Sequence, residues 1–255
     1  MDPPAHPPGA VAHEQDQIRT GQRRAELTFA RRVTGTDVLL TILAVLVAPV
    51  LAGVLVVVAG VTLNQDWVTS VGVPLGTAVA VAGVWLALVR RGWSRRDLGF
   101  VRGRRSSWHL LWEVPLLWIG ALVGTVVVGT LAGITPSASE TDVSRSADAL
   151  ELGVGALALT AVCVTILAPA LEEVLFRRIL LGWIEQRAGL LLAVIGSALA
   201  FGLVHLAPPI ILLQILVGLG AATLVRAHRT LWASLALHGL NNGVVTVVAA
   251  LAVLG

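Results

Sequence analysis

Leu152 to Leu171 is a run of 20 residues without a charge, and it ends in Leu171-Glu172-Glu173-Val174-Leu175-Phe176-Arg177-Arg178. Apolar character resumes from Ile179 to Ile184. About 20 consecutive apolar residues in a helix cross a bilayer. The run therefore predicts a transmembrane helix with two carboxylates and two arginines set into its far half. A charge at mid-membrane costs roughly 2.5–3.5 kcal/mol on insertion scales. Either these charges pair, or the helix end surfaces among headgroups and they are solvated. Glu173 and Arg177 are four residues apart, share a helix face and can pair. Glu172 lies about 100° away around the helix. It has no local partner, which is the condition of a working acid or base.

Composition extends this reading to the whole chain. Hydrophobic residues make up 56% and charged residues 13% of it, against about 25% charged in soluble domains. The fold class expected is an all-α polytopic transmembrane helical bundle of about seven spans, with six to eight as the range. All 18 basic residues are arginine, so the formal charge of +3 reflects membrane topology and no nucleic-acid partner is expected. Cys163 is the one cysteine, which excludes an intramolecular disulfide and any thiol-redox or zinc-finger spacing. Trp67, Trp108, Trp183 and Trp232 fall near predicted span ends, where indole rings favour the interface.

Residues 1–35 read as a disordered, basic cytoplasmic arm. Met1 to Gly9 holds four prolines, and Arg19 to Arg32 carries five arginines. No cleavable signal peptide fits, because the first 30 residues lack an apolar core. The N-terminal membrane helices occupy 36–149. A first span is expected over Val38–Leu63, a polar turn at Asn64-Gln65-Asp66, a second span over Trp67–Val89 and a third over Trp108–Ile134. Between the second and third lies an arginine-rich loop, 90–107, with Asp97-Leu98-Gly99-Phe100 at its centre. Residues 150–255 form the expected catalytic core. Its spans are the opening helix from Leu152, Leu190–Ala207 closed by Pro208-Pro209, Ile210–Val225 as the shortest, and Leu231 onward.

Arginine placement orients this scheme. With the N-terminus in the cytoplasm, 17 of the 18 arginines fall in inside segments, and only Arg145 falls outside. That obeys the positive-inside rule. It predicts a multi-pass protein of the cell membrane with a cytoplasmic N-terminus, an outside C-terminus, and Glu172 and Glu173 in the cytoplasmic half of the fourth span.

Three further polar groups interrupt the later spans. His205 follows Phe201 by four residues in the fifth, and His238 and Asn242 are four apart in the seventh, on one face. Buried polar groups in a membrane need partners, and one wet cavity between helices would supply them. Pro169, three residues before Glu172, removes a hydrogen bond to the Thr165 carbonyl and can kink the helix there. One difficulty is depth. At 1.5 Å per residue, His205 lies about 22 Å along its helix from Leu190, and His238 about 10 Å from Leu231. Tilt, or a fifth helix that begins beyond the membrane surface, is needed to level them.

A carboxylate and an imidazole can activate water, while a second imidazole and an amide can donate to a developing oxyanion. That is the division of labour in peptide hydrolysis. Glu172, His205 and His238 can equally form a two-His, one-carboxylate zinc set, and spacing alone does not separate the two versions.

Glu172-Glu173-x-x-x-Arg177, Phe201-x-x-x-His205 and His238-x-x-x-Asn242 resemble the three ordered motifs of the CPBP family of intramembrane endopeptidases. This family, also called Abi, includes CAAX prenyl proteases and bacteriocin-processing or immunity proteins. The resemblance covers roughly residues 150–250, and Asp97-Leu98-Gly99-Phe100 is loosely similar to the region upstream of the family core. It implies that Glu172 activates water, that His205 helps position or activate it, and that His238 and Asn242 stabilise the oxyanion. Glu173, Arg177 and Phe201 are then supporting residues. The family has been described both as metalloproteases and as glutamate-based, metal-free enzymes. The metal-free form is the expectation here, with no cofactor, because asparagine is a poor zinc ligand and a good oxyanion donor. The partners implied are the lipid bilayer and a membrane-associated or lipidated protein substrate, CAAX-prenylated proteins among them. Two alternatives stand beside this reading: a non-proteolytic immunity or scaffold protein of the same fold, and a small transporter or proton-coupled channel in which Glu172 and the histidines form a relay.

Overall fold

A computed structural model describes residues 28–59, 65–133, 153–206 and 208–254. All regular elements among them are helical. Helix α1 is continuous through Gly35–Ile42, a π-helical turn Leu43–Val47, and Ala48–Ala59. Its start is set by sequence: Thr34 and Asp37 form a reciprocal capping box, with both side chains bonded to the other residue's backbone N–H. Helix α2 spans Gln65–Ala87 and α3 spans Leu110–Leu131. Helix α4, Val154–Ala188, is the longest. After it come α5 (Leu190–Leu203), α6 (Pro208–His228) and α7 (Leu231–Leu254).

Six of these helices are long and apolar enough to cross a membrane, and α5, at 14 residues, is a shorter apolar helix. The bundle is therefore the expected one, with its short member in a different place. The span expected to be shortest is α6, which runs for 21 residues. Pro208 and Pro209 do not close α5; they open α6, where a missing N–H leaves no helical bond unmade. Gln65 and Asp66, expected in a turn, open α2. The expected arm at 1–35 falls largely outside the described residues, as does the loop 135–149.

Burial is arranged as in a membrane protein. Large apolar side chains such as Leu55, Val123, Leu191 and Leu251 face outward, while Glu173, Arg177, Arg178, His238 and Asn241 are almost completely enclosed. Lipid solvates the former, and the latter must find partners within the protein.

Two features place the functional residues. Gly189, at φ +84°, breaks the chain between α4 and α5 and lets α5 fold back along α4. The segment Asp97–Phe100 clasps α4 and α7 together at one level. The Asp97 carbonyl accepts from Arg178 Nε, the Gly99 carbonyl accepts from Leu231 N at 2.9 Å, and Phe100 meets Trp232 edge-on with ring centroids 5.1 Å apart. Gly99 has φ +89°, and a Cβ there would sit 2.8 Å from the Phe29 ring. From this common level, Glu172 is six residues along α4 and His238 seven along α7, about 9 and 10 Å. The clasp thus sets both groups at the same depth.

Candidate active site

Helix α4 is irregular where the carboxylates sit. The α-helical Ala168–Glu173 is flanked by two π-helical stretches, Cys163–Leu167 and Val174–Leu180. Such insertions widen the helix and occur frequently at functional sites. Pro169 explains the first of them in part. In the five-residue register, Ala168 N–H bonds to the Cys163 carbonyl. The next donor in that register belongs to residue 169, which as proline has none, so the carbonyl left over is that of Val164. The sequence expectation named Thr165, which holds only for an uninterrupted α-helix. Asn242 Nδ2 supplies the missing donor to Val164 O at 2.9 Å.

Beyond Pro169, Glu173 and Arg177 form the expected i,i+4 pair, with Nε to Oε2 at 3.4 Å and both side chains inaccessible. Breaking a buried pair strands a charge at a cost of several kcal/mol, so the two residues are interdependent. Arg178, read from sequence as a cytoplasmic charge, is buried instead. Its Nη2 donates to the Arg31 carbonyl at 3.0 Å, and its guanidinium lies 4.7 Å from the Phe29 ring and 4.8 Å from the Trp93 ring. Aromatic faces and carbonyls replace water around the cation.

His238 of α7 bridges the two carboxylates. Its Nδ1 is 3.0 Å from Glu173 Oε1, and its Nε2 is 3.6 Å from Glu172 Oε2. Glu173 is a carboxylate held by Arg177, so Nδ1 carries the proton and Nε2 presents a lone pair in the neutral ring. Glu172 is the more open of the two acids, with 28% of its side-chain surface accessible. Its Oε2 is nevertheless enclosed and has no hydrogen-bond partner among the described residues.

Phe201 is the hub on which these groups meet. It stacks edge-on against His205 and His238, each at 5.1 Å between centroids, and against Phe176 at 5.3 Å. The Arg177 guanidinium lies over the same ring at 4.1 Å. His205 was expected inside the fifth helix. It lies in the turn after α5 ends at Leu203, just before Leu206 at φ +61°. Its Nδ1 bonds to the Phe201 carbonyl at 2.9 Å, so its Nε2 is also the unprotonated nitrogen. A helix that stops here resolves the depth difficulty, because α5 needs only to reach the site.

The structure therefore links Glu172, His238, Glu173, Arg177 and Phe201 by successive pairwise approaches. It brings His205 in across Phe201, and Asn242 in through Val164. Among the described residues, no three His, Cys, Asp or Glu side chains are grouped so as to hold a metal ion. Two residues not anticipated adjoin the site, Asn241 and Trp118. Trp118 Nε1 donates to Asn241 Oδ1 at 3.3 Å, and Asn241 Nδ2 donates to Asn242 Oδ1 at 3.2 Å. An asparagine beside Asn242 in an apolar span was a visible signal. Nothing in the sequence joins it to Trp118.

No curated protein and no solved structure matches the chain. The segment that contains every one of the sequence-derived site residues, 154–244, matches the family model described as type II CAAX prenyl endopeptidase Rce1-like.

Proposed function

We propose that this protein is an intramembrane endopeptidase that hydrolyses a peptide bond of a membrane-associated protein, CAAX-prenylated proteins among them. The observation that carries the reading is His238 held between two carboxylates, Glu173 on Nδ1 at 3.0 Å and Glu172 facing Nε2 at 3.6 Å. Glu172 takes a proton from the attacking water and is close enough to pass it to Nε2. The imidazolium so formed is stabilised by Glu173 and can donate to the tetrahedral oxyanion or to the departing amine. As a neutral ring His238 cannot make that donation, so its oxyanion role depends on Glu172 acting first. Asn242 supplies a second donor: one N–H of its amide goes to Val164 O, and a primary amide has two. His205, with a free Nε2 beside Phe201, positions the water. Glu173, Arg177 and Phe201 orient the set.

The mechanism is read as metal-free and cofactor-free, because Asn242 is a poor zinc ligand and a good oxyanion donor. The arginine distribution supports a cytoplasmic N-terminus, an outside C-terminus and a cell-membrane location. Wild type and Glu172→Gln, purified in detergent, would be compared on prenylated and unprenylated membrane-peptide reporters, with and without a zinc chelator. The expected result is cleavage that survives chelation and falls by at least about 10³-fold in the variant. Loss on chelation, restored by zinc, would overturn the metal-free mechanism. Equal cleavage by both proteins would overturn the role of Glu172.

A further inference from the structure

Helix α3 lies outside the family-matched segment, yet one of its side chains reaches the site by a hydrogen-bonded chain. Trp118 Nε1 donates to Asn241 Oδ1, Asn241 Nδ2 to Asn242 Oδ1, and Asn242 Nδ2 to Val164 O. The chain begins at an indole N–H, which can only donate, and ends at a backbone carbonyl, which can only accept. Its direction is therefore unique. Turning Asn241 over would set an N–H against the indole N–H. Turning Asn242 over would set its oxygen against Val164 O. Asn241 is 2% exposed, so no bulk water is at hand to repair either error.

An amide that stabilises an oxyanion must present its NH2 to the reacting carbon's oxygen; the same amide reversed presents a carbonyl and repels it. We propose that Trp118 and Asn241 are positioning residues that fix the polarity of the Asn242 carboxamide, holding its oxygen toward α3 and its NH2 toward α4 and the site. The inference rests on the protease reading and adds to it a specific requirement from a helix beyond the matched core. The indole sets the direction, Asn241 transmits it and Asn242 uses it. The Val164 carbonyl, exposed by Pro169, holds the far end.

Two measurements on the full-length protein in detergent test this. In ¹⁵N-indole NMR, the Trp118 signal is identified by its loss in Trp118→Phe, and it is expected to move on Asn241→Leu. Kinetics on a cleaved reporter would compare Trp118→Phe, Asn241→Leu, Asn241→Asp and Asn242→Ala. Asn241→Asp keeps the shape and the acceptor for Trp118 but offers Asn242 a second acceptor, which favours the reversed amide. It is expected to lose about 10²-fold in kcat, as much as Asn242→Ala and more than Asn241→Leu, with KM within about twofold of wild type. Trp118→Phe is expected to lose about tenfold in kcat. Thermal unfolding of each variant separates these losses from misfolding, which would lower Asn241→Leu at least as much as Asn241→Asp. An unmoved indole signal in Asn241→Leu, or wild-type kcat in Asn241→Asp, overturns the proposal. Absence of cleavage by wild type overturns the protease reading beneath it, whatever the indole signal does.

Discussion

Glu173–His238 and Glu113–His228 are both carboxylate–imidazole pairs around a buried imidazole, at 3.0 and 2.6 Å. In each, an arginine holds the other carboxylate oxygen: Arg177 at 3.4 Å for Glu173 and Arg105 at 3.4 Å for Glu113. They differ in what lies beyond the imidazole. His238 turns its second nitrogen toward Glu172 Oε2, an enclosed oxygen with no hydrogen-bond partner among the described residues. His228 belongs to a clasp. Its backbone carbonyl accepts from Arg104 N at 2.7 Å, and together the pair ties the arginine-rich loop to the ends of α3 and α6. An acid–imidazole pair is thus not by itself a reactive site. The second, incompletely satisfied carboxylate makes the difference.

The contrast is sharpest at the paired acids. Glu173→Gln leaves Arg177 buried without its counter-charge and removes the anion that would stabilise a protonated His238. It is expected to lower kcat by at least about 10²-fold and to destabilise the protein by about 3–5 kcal/mol. Glu113→Gln is expected to leave kcat within about twofold of wild type and to destabilise by about 1–3 kcal/mol. Reporter kinetics beside thermal unfolding in detergent read both variants. A comparable kcat loss in Glu113→Gln would erase the distinction between clasp and site.

A smaller effect probes the rim alone. Backbone and hydroxyl donors of Ser94, with the Arg31 charge, hold the Asp97 carboxyl below its ordinary 3.8. A depressed folded value means that the stabilisation is present above the unfolded pKa of about 3.8 and is lost as pH falls through the lower, folded value. Ser94→Ala is therefore expected to lower stability modestly at neutral pH and to leave it unchanged at the acid end, which flattens the acid limb below about pH 4. Unfolding midpoints measured from pH 3 to pH 7 decide it. An unchanged acid limb would show that the Ser94 donors do not hold the Asp97 carboxyl.

Legibility followed the range of the interaction. Helix class, the long apolar segments and the Glu173–Arg177 pair all depend on residues within a few positions of one another. Each was readable from spacing. The shared face of His238 and Asn242 was readable too, but not that one would meet two carboxylates and the other a carbonyl. The burial of Arg178 was not legible because four residues on two other segments, Phe29, Arg31, Trp93 and Asp97, line its environment. The end of α5 before His205 was hidden because apolar composition continues through Leu206 and carries no stop signal.

The sequence by itself determined that the chain must be a helical membrane bundle. Apolar runs of this length have no other way to satisfy their backbone groups in lipid. It also determined which polar residues had to be reconciled inside that bundle. Only the tertiary structure decided how: which nitrogen of His238 meets which acid, which carbonyl Pro169 leaves for Asn242, and which way two asparagine amides point from Trp118. Those choices are made between groups 65 to 123 positions apart, where no local periodicity operates. A low-dielectric interior makes each unmade polar contact costly, so packing selects the arrangement that leaves the fewest.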